Sequence, residues 1–364
     1  MPYAPLTTPS EIVSPLLGWY RANARDLPWR KTRDPYRVWV SEIMLQQTRV
    51  AAVLGYYQRF LSAFPSVEAL ADAPEEQLMK LWEGLGYYSR ARNLKSAART
   101  VIKDFGGKFP DTYEGLLSLP GVGDYTASAI ASASFGRREP AVDGNVLRAF
   151  TRLTDCHDDI AAPKTKKAVR EQVGPIMPAK PEDIHIFNQA FMELGAMVCV
   201  PGGSPKCGSC PLAESCLGRI RGTAESLPVK SPKKARRVEE KTIFLFIKGG
   251  KIALRKRPRD GLLAGLWEFP NVNGAMDETA AGEQAALWGL TPGAWNRRLA
   301  AKHIFSHVEW HMTGYVLRVS GGGPEDFLWA DGPELEKRAI PSAFARFLSE
   351  ATILLNEKGA KRTF

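Results

Sequence analysis

From about Glu11 to Leu217 the apolar residues return every three or four positions, as in Val50, Val53, Leu54, Tyr57, Phe60 and Leu61, the spacing that lines one helix face. Pro- and Gly-rich punctuation separates these runs, and alternating Val-, Ile- and Thr-rich stretches are scarce. This half predicts an all-α fold. The pattern changes at Thr242. Residues 242–248 and 251–257 are strand-like runs joined by Gly249-Gly250, a β-hairpin signature. A further strand is predicted at Gly314–Val319 and helices near Glu278–Trp288 and Ser342–Leu355, so the second half reads as α+β. Between the halves, residues 222–241 are rich in Pro, Lys and Arg and poor in apolar side chains, the composition of a linker.

At 364 residues the chain exceeds what one hydrophobic core organises, so two or three domains are expected. Lys and Arg number 49 against 39 Asp and Glu, a net charge of +10 and a pI near 9.3. That balance favours a polyanionic partner through counterion release, although mild basicity is common enough to select no partner alone. The N-terminal segment lacks a charged stretch followed by an apolar core and a small-residue cleavage site. No apolar run approaches membrane-spanning length. A cytoplasmic, nucleoid-associated protein of a bacterium, with no membrane partner, is expected.

Leu119-Pro120-Gly121-Val122-Gly123 falls between helical patterns at residues 112–117 and 125–134. Its glycines permit a tight hairpin whose backbone N–H groups, at a helix N-terminus, can face a phosphate directly or through a cation; an ordinary helix corner would use the same residues. Asp143 stands in a Gly-containing turn ahead of an apolar helix, where it suits an N-cap. The same carboxylate beside a flipped nucleotide could stabilise an oxocarbenium-like sugar as the base departs. Glu42 is one acid in an apolar, amide-bearing helix start, next to Trp39, Ile43 and Met44. Burial there would push it toward the protonated form that a general acid needs, while simple helix-start chemistry beside Ser41 also accounts for it.

Four of the five cysteines, Cys199, Cys207, Cys210 and Cys216, are separated by seven, two and five residues. Such clustering in a cytosolic chain points to metal rather than disulfides. Tetrahedral zinc and an iron–sulfur cluster both suit four thiolates, and the spacing does not decide between them. Cys156 stands apart and is expected to be a buried, apolar-like residue.

Taken in order, LPW, DPYRVWVSEIMLQQTRV, LWEGLGYYSRARNL, LPGVGDYTASAI, AVDGNVLRAF and FNQAFMELGAMVC resemble the MutY-type adenine DNA glycosylases of the helix-hairpin-helix superfamily over nearly the whole chain. That family excises adenine mispaired with 8-oxoguanine. The resemblance implies a multidomain protein, with an all-α glycosylase core, an iron–sulfur subdomain and an α+β Nudix-like C-terminal domain. In this sequence those become a six-helix domain at 27–138, a cluster domain formed by 1–26 and 139–221, the linker 222–241, and a lesion-reading domain at 242–357.

The resemblance further implies that Glu42 protonates adenine at N7. Asp143 then stabilises or transiently bonds the sugar C1′, helped by Tyr125 and by Asn145, which orders the carboxylate. Leu27, Trp29, Arg30 and Gln189 would surround the flipped adenine. Gln47 and Tyr87 would wedge into the duplex on the 8-oxoguanine side, and Leu119, Gly121, Val122 and Gly123 would grip the DNA backbone. Tyr125 occupies the place where bifunctional relatives resembling endonuclease III carry a lysine. A phenol cannot form a Schiff base, so a monofunctional glycosylase is expected.

By the same resemblance Cys199, Cys207, Cys210 and Cys216 hold one 4Fe–4S cluster that shapes a basic loop, with Lys206 and Arg219, against the DNA. The family usually has six residues in the first gap and this chain has seven, an addition that Gly202 and Gly203 let bulge. GLLAGLWEFP at 261–270 resembles the Nudix-like domain, but the residues that follow lack the Glu-rich helix that holds Mg²⁺ in a hydrolase, so no diphosphate hydrolysis is expected. Phe305-Ser306-His307 looks like the loop that inspects 8-oxoguanine, with Ser306 hydrogen bonding its oxidised edge; a Ser–His pair at a strand end is also ordinary surface. The implied partner is duplex DNA bearing A:8-oxoG or A:G mispairs, bound by a monomer.

Overall fold

The computed structural model describes residues 9–232 and 235–359. Expectations for the extreme N-terminus, and for Lys233 and Lys234 of the predicted linker, lie outside the described residues. Contacts divide the chain into two units. One runs up to Ala73 and resumes over Arg92–Pro232, and the other joins Pro74–Ala91 to the C-terminal part of the chain.

The first unit contains α1 (Pro9–Asn23), α2 (Pro35–Leu45), α3 (Val50–Ala63) and α4 (Val67–Asp72). After α5 (Glu75–Leu81), which belongs to the other unit, come α6 (Ser89–Phe105), α7 (Tyr113–Leu117) and α8 (Asp124–Phe135). The unit closes with α9 (Gly144–Leu153), α10 (Pro163–Ile176), α11 (Pro181–Met197) and α12 (Leu217–Ile220). Helix α2 begins at Asp34-Pro35, where the Asp34 side chain accepts the Tyr36 N–H and Pro35 needs no donor partner. Glu42 therefore sits in the last turn of α2 and not at a helix start, as the sequence suggested; Asp34-Pro35 outcompetes Ser41 as the start signal. Helix α8 is buried on every side from Thr126 to Ala133, and its small Ala and Ser side chains let neighbouring helices approach. A separate core joins α1, α9, α10 and α11 through Ile12, Leu16, Phe150, Val169, Phe187 and Phe191.

The predicted linker is held at both ends. Buried Arg152 donates from Nε to the Leu227 carbonyl at 2.9 Å, and the Val229 carbonyl accepts the Ile160 N–H at 3.1 Å. Strand β1 already begins at Arg237. Most described residues of this stretch are exposed, as its polar composition suggested, but Ala224, Leu227 and Lys241 are buried and the Leu227 and Val229 carbonyls are bound. Cys156 is half-buried after α9, less enclosed than the sequence suggested, because the chain turns outward at Asp155 in a left-handed conformation.

In the second unit β1 (Arg237–Lys248), β2 (Lys251–Lys256), β3 (Trp267–Glu268), β4 (Asn271–Asn273), β5 (Leu290–Ile304), β6 (Val308–Gly321) and β7 (Phe327–Ala330) form a mixed sheet. The order is β3-β2-β1-β6-β5, with β4 on β1 and β7 on β2, and β1 runs parallel to β6. Gly249 and Gly250 make the predicted hairpin turn, both at positive φ. Ile243, Leu245 and Ile247 face α14 (Ala345–Gly359), while Phe244 and Phe246 face α13 (Glu278–Leu287). Both faces of β1 are covered, which is why it reads as a continuous apolar run. Pro74–Ala91, expected within the N-terminal six-helix domain, groups with this unit, where Glu76 and Lys80 bond Arg338 and Glu83 accepts the Ile340 N–H.

Candidate active site

The first unit contains a cleft of about 880 Å³ lined by Glu42, Tyr125, Asp143 and Asn145 together with Leu27, Trp29, Arg30, Gln47 and Gln189. Nine predicted site residues from five separate stretches of sequence thus meet in one place. The Tyr125 hydroxyl donates to Glu42 Oε2 at 2.7 Å. Burial lifts the Glu42 pKa to about 7; the Tyr125 hydrogen bond opposes the rise, the Asp143 charge adds to it, and Arg30 acts weakly against it. Position in the last turn of α2, at the negative end of the helix dipole, also disfavours the carboxylate. Tyr125 itself is pushed well above its usual pKa by burial and the two acids, so it stays a neutral donor.

Asp143 caps α9. Its Oδ1 accepts the Asn145 and Val146 N–H groups at 2.9 and 2.8 Å, and its Oδ2 accepts Asn145 Nδ2 at 2.7 Å. Burial raises its pKa, and these donors, with Arg148 behind them, act against that rise. Three N–H donors favour a carboxylate where a single phenol favours it less. The asymmetry favours the proton on Glu42 and the negative charge on Asp143. The cap that the sequence offered as an alternative role is therefore the device that orients the charge.

The cleft wall contains an acid the sequence reading assigned no role. Glu193 of α11 is fully buried, and Arg30 Nη2 reaches its Oε2 at 2.5 Å while Arg25 donates to it from its backbone N, Nε and Nη2. Burial would raise the Glu193 pKa, but the two guanidinium groups hold it at about 2. A lone acid in the apolar run FMELGAM was the available signal, the same one that singled out Glu42. Leu27 and Trp29 are buried, the latter edge-on to Tyr57, and Gln189 Oε1 accepts the Tyr20 hydroxyl at 2.7 Å. Arg148 also went unnoticed: it donates to Asn145 Oδ1 at 2.8 Å, to the Gly195 carbonyl at 2.7 Å and to the Cys199 carbonyl at 2.7 Å.

Cys199, Cys207, Cys210 and Cys216 are unpaired thiols lining one largely apolar pocket. Arg152 Nη1 donates to Cys199 Sγ at 3.3 Å. Among the described residues no three His, Cys, Asp or Glu side chains converge on a position for one metal ion. The thiols ring a space instead, and burial with its neighbours pushes Cys210 up to about 11, so the ring would need a cationic body to hold thiolates. Four cysteine sulfurs on one pocket are a donor set that suits an iron–sulfur cluster. Residues 201–204 of the first gap are exposed, and the Lys206 N–H to Val198 carbonyl bond closes the loop.

In the hairpin, Gly121 has φ +76°, and a Cβ there would lie 2.6 Å from Asn93 Cβ. Leu119 and Val122 are buried, so they hold the hairpin shut and leave only backbone for an outside partner. Gly123 caps α8. Gln47 is exposed at φ +58°, a left-handed backbone that a residue with a Cβ rarely adopts. In the second unit Tyr87 is also exposed and left-handed, at φ +46°. Its hydroxyl lies 2.5 Å from Ser306 Oγ. Phe305 packs edge-on between His303 and Trp310, anchoring the loop that exposes Ser306 and His307.

The pattern described as HhH-GPD superfamily base excision DNA repair protein matches residues 40–175, and that of the NUDIX domain matches 242–350. The chain is similar to the adenine DNA glycosylase of Homo sapiens, 36% identical over 401 residues that cover 91% of this chain and 72% of the relative. It is similar to that of Buchnera aphidicola subsp. Acyrthosiphon pisum, 33% identical and covering 84% and 85%. Among solved structures, a thermostable thymine-DNA glycosylase aligns with TM-score 0.51 at 31% identity, covering 58% of this chain and 97% of that one. A non-covalent endonuclease III–DNA complex aligns with TM-score 0.50 at 26% identity, covering 60% and 99%.

Proposed function

The chain belongs to the adenine DNA glycosylases of the helix-hairpin-helix base-excision-repair superfamily, and on that premise we propose that it binds duplex DNA and releases adenine mispaired with 8-oxoguanine or guanine. One observation carries the chemistry: Glu42, whose pKa burial lifts to about 7, and Asp143, whose carboxylate accepts three N–H donors, share a cleft. A flipped adenine entering the cleft would take the Glu42 proton at N7, which makes the base a neutral leaving group. As the glycosidic bond lengthens, positive charge develops on the sugar, and the Asp143 carboxylate, fixed by Asn145, stabilises it. Water completes the hydrolysis. Tyr125 offers a phenol where a lyase needs an amine, so the product is an abasic site with an intact strand.

Leu27 and Trp29 supply apolar surface to the base, and the Arg30–Glu193 pair with Gln189 supplies fixed polar groups at its edge. Gln47, Tyr87 and the Phe305-Ser306-His307 loop face the 8-oxoguanine in this reading, supported by their exposure and by the left-handed backbones that push Gln47 and Tyr87 outward. The backbone of Gly121 and Gly123 grips phosphate. Cys199, Cys207, Cys210 and Cys216 would hold one 4Fe–4S cluster, which when bound organises the loop carrying Lys206 and Arg219.

Single-turnover base release on duplexes carrying A:8-oxoG, A:G, T:G and A:T tests the proposal. Adenine should leave the first two. Glu42→Gln should slow release by about 10²–10⁴-fold, and Asp143→Asn by about 10²–10³-fold. No adenine release from A:8-oxoG by the intact protein would reject the reading.

A further inference from the structure

Pro74–Ala91 touches the C-terminal sheet at two places. Near its start, Glu76 Oε2 accepts Arg338 Nη1 at 2.8 Å, and Glu76 Oε1 lies 3.5 Å from Lys256 Nζ. Both cations rest on the ring of Trp267, Arg338 at 4.9 Å and Lys256 at 5.5 Å from its centroid. One turn on, Lys80 Nζ donates to the Arg338 carbonyl at 3.1 Å, and Glu83 accepts the Ile340 N–H at 2.8 Å. At the far end Tyr87 meets Ser306.

The chain between those ends is stiff. Buried Trp82 donates from Nε1 to the Gly86 carbonyl at 3.0 Å, and buried Arg90 donates to the Leu85 and Gly86 carbonyls at 3.0 and 3.1 Å. These bonds hold Tyr87 in its left-handed backbone, a conformation that persists only where the surroundings over-determine it. A stiff segment transmits displacement from one end to the other. Arg338 is mostly buried, bridges Glu76 and Glu334, and leaves its buried Nε without an acceptor among the described residues. An orphaned buried donor is costly enough that the geometry it permits calls for a reason.

We propose that Arg338 is a positioning residue for lesion discrimination: clasped to Glu76, and with Ile340 fixed on Glu83, it sets where segment 74–91 presents Tyr87 to Ser306. The inference rests on the reading above that Tyr87 and Ser306 face the 8-oxoguanine. Chemistry at Glu42 and Asp143 lies outside the clasp.

The test uses the full-length protein with Arg338→Met, Arg338→Lys, Glu76→Gln and, as a reference, Ser306→Ala. Single-turnover adenine release at saturating enzyme is measured on A:8-oxoG and on A:G, and amide hydrogen exchange is followed over residues 82–90. Arg338→Met and Glu76→Gln should each lower the A:8-oxoG to A:G rate ratio by about three- to tenfold, the size of a partly buried ion-pair coupling. The A:G rate should stay within about twofold of wild type. Arg338→Lys should recover part of the ratio, and exchange over 82–90 should quicken in Arg338→Met. A purely structural clasp would slow both substrates together, and that result overturns the proposal. So does an unchanged ratio alongside a lowered one in Ser306→Ala. If Ser306→Ala itself leaves the ratio unchanged, the lesion-reading assignment fails and the positioning role falls with it.

Discussion

Glu42 and Tyr125 are joined by one hydrogen bond whose removal has a calculable sign. The phenol donates to Oε2 and stabilises the carboxylate, working against burial and against the Asp143 charge. Tyr125→Phe deletes that donor and keeps the burial, so the Glu42 pKa should rise above about 7. With Glu42 as the proposed general acid, which works in its protonated form, base release should decline as pH climbs through this pKa. The basic limb of the single-turnover pH profile should therefore move to higher pH in Tyr125→Phe and disappear in Glu42→Gln. A limb that stays in place in both variants belongs to some other group. The identities of Glu42, Tyr125 and Asp143 were readable in the sequence. The partnership of Glu193 with Arg25 and Arg30 was not, because Glu193 lies far from both in the chain and only the packing of α11 against the 25–30 turn brings them within reach.

Helices α9 and α11 cross where Gly195 faces Asn145. A Cβ on Gly195 would lie 2.6 Å from Asn145 Cβ and 2.9 Å from its carbonyl oxygen, so backbone would have to move. Arg148 ties the same two helices by bonding the Gly195 carbonyl and Asn145 Oδ1. Gly195→Ala should shift Asn145 off the Asp143 carboxylate and slow adenine release from A:8-oxoG and A:G in equal proportion, by about 10- to 100-fold, as misplacements of about an ångström do. Gly18→Ala, helical and with nothing within 4 Å of the added Cβ, should leave the rates unchanged. Comparable losses in the two variants would mean that helix stability, and not the α9–α11 crossing, governs the effect. Element types were legible from periodicity in both halves. Boundaries were less so where two start signals competed, as Asp34-Pro35 and Ser41 did for α2.

The charge of +10 belongs to the whole chain. If that charge serves duplex binding, affinity should fall by about 10³–10⁵ between roughly 50 and 200 mM salt for some six to ten phosphate contacts, readable by fluorescence anisotropy. A shallow salt dependence would show that the positive excess is spent elsewhere. By itself the sequence determined the helical and mixed halves, the capped carboxylate, the cysteine spacing and the amine-free hairpin, because each depends on residues close together in the chain. Tertiary structure decided what depends on distant ones. It moved Pro74–Ala91 into the C-terminal unit through Glu76, Lys80 and Glu83, bound the apparent linker through Arg152, and raised Glu42 to about 7 while holding Glu193 at about 2. Those outcomes follow from desolvation and from charges brought together by folding, and a carboxylate's local neighbours in sequence carry neither quantity.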